Sequence, residues 1–179
     1  SEGGASRLVA LTVGLIVCTG TGAVCGLATG LMTVVLRVHP FIITLGMMAV
    51  LRGTVAVVTQ GQSVSSVPES FTKGFFKAEF GGVYPTLMVI MVMTMLGGMF
   101  VLSRTVFGRR IFAIGGNETA ARYAGVPVGR VKVLIYTIMG ALAGLSGCMY
   151  LGYFAAAEAN AGNGYELTVI AAAVIGGAS

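Results

Sequence analysis

The chain has 179 residues, of which 56% are apolar and 9% are charged, with 28 glycines, a mean hydropathy of +0.92 and a net charge of +5. This composition is far from that of soluble domains and is typical of proteins embedded in a lipid bilayer. The chain also has no aspartate, a single histidine (His39) and three cysteines, which leaves little material for a metal site or a catalytic centre. The composition therefore argues against an enzyme and against a metalloprotein.

Both ends of the sequence lead us to expect a fragment of a longer protein. It begins with Ser1 rather than methionine, and it stops inside the apolar run 167–178. This run is shorter than the roughly 20 residues that a membrane-spanning helix needs. The first residues also lack the basic region of a signal peptide. We predict that segment 167–179 is a partial or re-entrant element.

Four long apolar runs predict membrane-spanning helices, because a backbone in lipid must satisfy its hydrogen bonds internally. The runs cover residues 8–36, 41–58, 85–103 and 133–157. A polar loop, residues 104–132, separates the third run from the fourth. The pattern predicts an all-α fold, a polytopic transmembrane helical bundle in which residues 1–179 belong to one transmembrane domain.

The spacing of glycines indicates how these helices pack. Small residues four positions apart allow two membrane helices to approach closely. Such positions are occupied by Gly22, Gly26 and Gly30 in the first span and by Gly140 and Gly144 in the fourth. We predict tight helix packing there, with a glycine-lined path for a solute as the alternative. The cysteines of the same two spans are predicted to pack as small apolar residues, and they are Cys18, Cys25 and Cys148.

The distribution of charge orients the predicted spans. Loop 104–132 carries six basic residues against one acidic residue, Glu118, whereas segment 59–84 carries two lysines and segment 155–166 carries no basic residue. Basic loops are retained on the cytoplasmic side. We therefore predict that loop 104–132 is cytoplasmic and that the other two segments lie outside. The net charge reflects this topology, so no nucleic-acid partner is implied.

Residues 117–125 carry the start and stop signals of a short helix within the basic loop. Asn117 is a favourable N-cap, Glu118 suits the positive end of a helix dipole, and Gly125 followed by Pro127 marks the end. A helix this short is unstable by itself in water and must pack against other structure. Two interpretations remain open, a docking element for a cytoplasmic partner and an ordered loop that rests on its own bundle.

The side chains of this helix suit a docking surface. Glu118 and Arg122 are spaced to form an ion pair across one turn, and Tyr123 offers an amphipathic ring. A small, smooth flank is predicted from three alanines, Ala120, Ala121 and Ala124.

Charged residues in or beside the spans are candidates for a translocation path or gate. Arg52 lies within the second span, where an arginine costs about 2.5–3.5 kcal/mol on insertion scales and usually faces protein or water. Snorkelling to the outer interface is the alternative. Glu166 is predicted to stabilise a helix N-terminus, with contact to a solute or to an external binding protein as the alternative, and Glu158 flanks the same outer loop. Four phenylalanines at helical spacing predict a helix on the outer membrane surface, and they are Phe71, Phe75, Phe76 and Phe80.

Three stretches stand out in the sequence, namely HPFIITLGMMAVLRG (39–53), GRRIFAIGGNETAARYAGVPVGRVK (108–132) and NGYELTVIAAAVIGGAS (163–179). In this order they resemble signature segments of the permeases of bacterial ABC importers of the ribose and xylose type. The resemblance implies that residues 117–125 form the coupling helix, which sits in a groove of the ATP-hydrolysing subunit. The residues implied in coupling are Asn117, Glu118, Ala120, Ala121, Arg122, Tyr123 and Gly125. Members of this family carry further helices before the segment that matches Ser1 and a glycine-rich continuation after Ser179.

The resemblance further implies an inner-membrane permease subunit that translocates a monosaccharide delivered by an external solute-binding protein. Its other partners would be a cytoplasmic ATP-binding subunit, a second permease copy in a homodimer, and membrane lipid. The chain contains no GxxxxGKS or GxxxxGKT phosphate loop, so we expect ATP and magnesium on the separate subunit and no cofactor on this chain. The alternatives are an ABC permease for a non-sugar solute, a structural membrane scaffold, and a secondary carrier, which usually has an ionisable relay inside the membrane.

Overall fold

The computed structural model describes residues 2–36, 38–62, 85–157 and 161–177. The helices in these ranges are α1 (Glu2–Leu36), α2 (Pro40–Thr59), α3 (Pro85–Arg104), α4 (Val106–Gly116), α5 (Glu118–Tyr123), α6 (Val128–Phe154) and α7 (Tyr165–Ile175). The predicted all-α fold is confirmed in the described part of the chain. The expectations about Glu158 and about the four phenylalanines of segment 59–84 lie outside the described residues.

Four of the helices are long and apolar enough to cross a membrane. Their spans are Thr12–Leu36, Pro40–Thr59, Thr86–Arg104 and Val128–Phe154, with mean hydropathies between 1.6 and 2.1. Helix α7 is also apolar but has only 11 residues. At 1.5 Å per residue it is about 16 Å long, roughly half of the hydrocarbon core of a bilayer. The chain is therefore a multi-pass membrane protein in which α7 is too short to cross by itself.

The loop between the third and fourth spans is more helical than the sequence predicts. Residues 106–116 form α4, which Thr105 caps by accepting a hydrogen bond from the Gly108 N–H at 3.1 Å. Helix α6 begins at Val128, ahead of the predicted span start at residue 133. The apolar run begins only after Arg130 and Lys132, which lie in the first turns of α6. The helix starts earlier than the run because a helix can include charged residues where it extends out of the lipid.

The bundle is built around the close packing of α1 against α6. Gly22 meets Gly140, and Gly30, further along α1, meets Tyr136, which precedes Gly140 in α6, so the two helices are antiparallel. A Cβ atom on Gly22 or on Gly140 would collide with the carbonyl oxygen of the other residue. All five glycines singled out from the sequence lie at this contact, and they are Gly22, Gly26, Gly30, Gly140 and Gly144.

Two of the cysteines take part in the same packing. Cys148 is only 1% exposed, and it packs against Cys18 of α1 and against Leu87 and Ile90, which belong to α3. Cys25 is half-buried, and all three cysteines are free thiols. The prediction that Cys18 and Cys148 act as small packing residues is confirmed.

Candidate functional site

Asn117 positions the short helix α5. Its N–H donates a hydrogen bond to the Ala113 carbonyl at 3.1 Å, which closes α4. Its Oδ1 accepts a hydrogen bond from the Ala120 N–H at 2.9 Å, which opens α5. A side-chain oxygen at the N-cap satisfies one of the N–H groups that a helix start leaves free. One asparagine therefore sets where α4 ends and where α5 begins.

The end of α5 is fixed by a left-handed turn. Gly125 has a φ of +80°, a conformation that glycine adopts at little cost. Its N–H donates to the Arg122 carbonyl at 3.1 Å, and the N–H of Val126 donates to the Ala121 carbonyl at 3.0 Å. These two bonds form the Schellman arrangement, which satisfies carbonyls at the end of a helix. The stop that the sequence predicts at Gly125 is confirmed.

Glu118 ties α5 to the first turns of α6. Its Oε2 lies 2.7 Å from the Lys132 Nζ, and its Oε1 lies 3.4 Å from the Arg122 guanidinium one turn along α5. The hydrogen bond from Lys132 is the main reason why the pKa of Glu118 is below its usual value. The sequence predicts the pair with Arg122, whereas the contact with Lys132 depends on how α5 and α6 pack.

The two faces of α5 have different surroundings. Ala121 is 5% exposed and faces the bundle, whereas Tyr123 is 88% exposed. Ala120 and Ala124 are also exposed. The structure thus separates the three alanines that the sequence groups into one flank, because one residue step turns a helix by about 100°. Ala121 packs α5 against the bundle. We call the exposed set of Ala120, Tyr123 and Ala124 the α5 outer face, because it points away from the bundle.

Arg52 meets protein groups at the opposite end of the bundle. Its guanidinium donates a hydrogen bond to the Asn163 Oδ1 at 2.9 Å and lies 3.4 Å from the Glu166 Oε1. Asn163 is exposed and Glu166 is half-buried. Both lie at the start of α7, whose N-terminus has no side-chain cap. The sequence identified Arg52 and Glu166 separately but did not pair them, and it missed Asn163. We call these three residues the outer clamp.

A groove of about 690 Å³ runs between α1, α2 and α6. Its floor is the glycine contact of α1 and α6, and Arg52 lies on its wall together with Thr21, Thr44 and Tyr136. Most of the remaining lining is methionine, leucine and small residues. The groove therefore reaches from the glycines to the outer clamp.

Comparisons with known proteins identify membrane permeases as relatives of this chain. A family model described as branched-chain amino acid transport system, permease component, matches residues 3–179. The chain is 36% identical over 184 residues to the ribose import permease protein RbsC of Escherichia coli (strain K12), covering 98% of this chain and 56% of the relative.

Two further relatives carry different solutes in their names. The autoinducer 2 import system permease protein LsrC of Klebsiella pneumoniae is 36% identical, covering 88% of this chain and 45% of the relative. The L-arabinose transport system permease protein AraH of Escherichia coli (strain K12) is 35% identical, covering 80% of this chain and 43% of the relative. The chain thus spans about half the length of these relatives, and no solved structure matches it. Since the family model covers nearly the whole chain, the protein belongs to the family of branched-chain amino acid transport system permease components.

Proposed function

We propose that the chain is part of the permease subunit of an ATP-driven importer in the inner membrane and that it translocates a monosaccharide. The family match and the import permeases among the relatives support this proposal. Permease subunits are not enzymes themselves. ATP and magnesium therefore bind to a separate ATP-hydrolysing subunit, and this chain binds no cofactor.

The geometry of α5 is the observation that carries the proposal. The helix is capped at both ends, it is tied to α6 by Glu118 and Lys132, and it presents the largely exposed ring of Tyr123 outwards. An exposed aromatic residue on a rigid support is a typical anchor for a protein partner. A subunit docked on the α5 outer face could move α6 and, through the glycine contact, α1. This arrangement favours the docking interpretation over an ordered loop.

The basic residues of the α5 end support an orientation with this end in the cytoplasm. The ATP-hydrolysing subunit then docks from the cytoplasm, and an external solute-binding protein delivers the solute at the outer clamp. A second permease copy completes the transporter as a homodimer. Single cysteines at Gly116 and Gln62, in a variant without the native cysteines, test the orientation. We expect Gln62→Cys to react with an impermeant reagent from outside intact cells, whereas labelling of Gly116→Cys from outside would reverse the orientation.

We propose that Arg52 and Glu166 belong to a gate on the outer part of the translocation path. A guanidinium and a carboxylate that hydrogen-bond each other can equally bind the hydroxyl groups of a sugar. The pair joins α2 to α7, and both side chains remain about one third exposed, at 40% and 35%. An incoming polyol could therefore compete for the same donors and acceptors.

The relatives support a monosaccharide as the solute, since two of the three are named for ribose and arabinose. The alternative solute class is the amino acid in the family description, because branched-chain amino acids would use the apolar lining of the groove. A secondary carrier remains the alternative mechanism. The alternatives differ in which solute is taken up and in whether uptake requires ATP.

Reconstitution of the full-length permease distinguishes these proposals. The permease, its ATP-hydrolysing subunit and its binding protein are placed in proteoliposomes, and uptake of ribose, L-arabinose and leucine is measured with and without ATP. We expect uptake of a sugar only when ATP is hydrolysed. Uptake of leucine instead would favour the amino acid class, and uptake driven by an ion gradient without ATP would favour a secondary carrier. A scaffold would transport none of the three.

A further inference from the structure

A second groove, also of about 690 Å³, lies at the α5 end of the bundle. It is lined by the last turns of α1 (Thr33, Val34), by Val38 and Pro40 where α2 begins, by Glu118 and Arg122 of α5, and by residues 126–130 and Lys132 at the start of α6. Three membrane spans thus begin or end around it. The groove therefore lies at the depth where apolar helix surfaces meet water, which is the depth of the lipid headgroups. We call it the basic groove.

Positive charge is in excess in the basic groove. Arg122, Arg130 and Lys132 line it together with a single carboxylate, that of Glu118. Glu118 is already paired with Arg122 and with Lys132. Arg130 is exposed and makes no ion pair or side-chain hydrogen bond with the described residues. The three cations and one anion give the groove a local net charge of +2. The guanidinium of Arg130 has no charged partner among the described residues.

The start of α6 adds to this positive potential. Its N-cap residue, Pro127, provides no side-chain cap. The N–H of Val128 donates to the Val126 carbonyl at 2.8 Å, and the N–H of Val131 donates to the Pro127 carbonyl at 3.1 Å. Between these two residues, the N–H groups of Gly129 and Arg130 have no backbone acceptor within the described ranges. Free N–H groups at the start of a helix attract anions, although by themselves they do not define a ligand.

Apart from Thr33, the remaining walls of the basic groove are apolar. Val34, Val38 and Val126 face it, and Val38 is 42% exposed. This lining fits a ligand that has both an anionic part and an apolar part. Basic pockets between membrane helices on the side with excess positive charge commonly hold phospholipid headgroups.

We propose that the basic groove binds the phosphate headgroup of an anionic phospholipid, with Arg130 as its main contact and Arg122 and Lys132 beside it. The acyl chains extend along the exposed apolar surface of α1. The proposal requires only that the bundle spans a membrane, and it is independent of the transported solute.

Native mass spectrometry of the purified full-length permease tests this site. The protein is stripped of lipid in detergent and offered an equimolar mixture of phosphatidylglycerol and phosphatidylcholine. We expect the wild type to retain phosphatidylglycerol preferentially and Arg130→Gln to retain it about fivefold less well, the effect of one basic residue near anionic lipid. Arg130→Lys should keep most of the preference. The matched control is Arg110→Gln, since Arg110 is exposed on α4 outside the groove, and it should retain lipid like the wild type.

Three results would overturn the proposal. The first is equal loss of phosphatidylglycerol in Arg130→Gln and Arg110→Gln, which would indicate general attraction rather than a site. The second is stabilisation of the wild type by inorganic phosphate to the same extent as by phosphatidylglycerol in thermal melting, which would indicate a site for free anions. The third is unchanged lipid retention in Arg130→Gln together with weaker co-purification of the ATP-hydrolysing subunit, which would assign the groove to that protein. Thermal melting of each variant verifies that it is folded.

Discussion

The Oε2 atom of Glu118 accepts a hydrogen bond from the Lys132 Nζ at 2.7 Å, although the two residues are 14 positions apart in the chain. Glu118 belongs to the short helix α5, and Lys132 belongs to the first turns of the membrane-spanning helix α6. The contact therefore joins the proposed docking element to the bundle. Both side chains keep substantial contact with water, at 42% and 29% exposure, so the pair adds little to overall stability.

Reversing the charges of Glu118 and Lys132 tests whether this ion pair transmits movement from α5 to α6. Glu118→Lys or Lys132→Glu alone places like charges together, and we expect the solute transported per ATP hydrolysed to fall severalfold. The double variant Glu118→Lys/Lys132→Glu restores the attraction and should recover most of the loss. The measurement is uptake and ATP hydrolysis in the same proteoliposomes. Failure of the double variant to recover, with normal folding, would show that the contact does not transmit movement.

The small contribution of this ion pair to stability should depend on pH. Because the pKa of Glu118 is lowered in the folded protein, its ion pair stabilises the fold at pH values above the ordinary pKa of a glutamate, about 4.3. This contribution is lost as the pH falls through the lowered pKa. We therefore expect the difference in Tm between the wild type and Glu118→Gln to be constant between about pH 6 and pH 8 and to shrink below about pH 4. A difference that grows on acidification would contradict the assignment.

Tyr123 should be the main anchor of the ATP-hydrolysing subunit. Its ring is 88% exposed on the α5 outer face, so Tyr123→Ala removes no internal packing. Loss of an interface anchor costs about 2 kcal/mol or more, which weakens binding by about 30-fold. Tyr165→Ala is the control, because Tyr165 is 61% exposed at the opposite end of the bundle. Co-purification of the subunit should fall for Tyr123→Ala alone. Ala121 is also among the residues implied in coupling, but it is buried, so a larger side chain such as tryptophan there would disturb the bundle and would not test docking by itself.

The glycine contact should be sensitive to a single methyl group. A Cβ atom on Gly26 would collide with the Tyr136 carbonyl oxygen, whereas Gly20 on the same helix has no atom within 4 Å of the added Cβ. We expect Gly26→Ala to lower the free energy of unfolding by about 1–3 kcal/mol, the usual cost of overpacking. Gly20→Ala should be neutral or stabilising, because alanine is the better helix former. Thermal melting in detergent compares the two, and equal Tm values would contradict the close packing.

The outer clamp should matter for transport more than for insertion. Arg52→Leu removes a charge that is costly in a membrane, so it should insert at least as well as the wild type. It also removes the contacts with Asn163 and Glu166, and we expect transport to fall at least about tenfold, the effect of losing a hydrogen bond to a charged group. Glu166→Gln keeps the shape of the side chain and should have a smaller effect. Normal transport by Arg52→Leu at normal expression would leave only an anchoring role for the arginine.

The sequence alone predicted those features that depend on neighbouring residues. Long apolar runs predicted the spans, because lipid offers the backbone no partner except its own helix. Asn117 and Gly125 predicted the ends of α5, since capping joins groups that lie within one turn. The helix α4 was missed, although Thr105 precedes half-buried apolar residues at helical spacing, among them Phe107 and Ile111.

Only the tertiary structure decided which of these elements meet. The glycine pattern marked packing faces on two helices but is compatible with many partners, because it specifies close approach and not the helix that approaches. Arg52 and Glu166 are separated by 114 positions, and Glu118 and Lys132 lie on different helices, so no local signal links either pair. The inward direction of Ala121 was likewise decided by the way in which α5 rests on the bundle. Helices follow from interactions between neighbours in the chain, whereas the outer clamp and the α5 outer face follow from packing between distant segments.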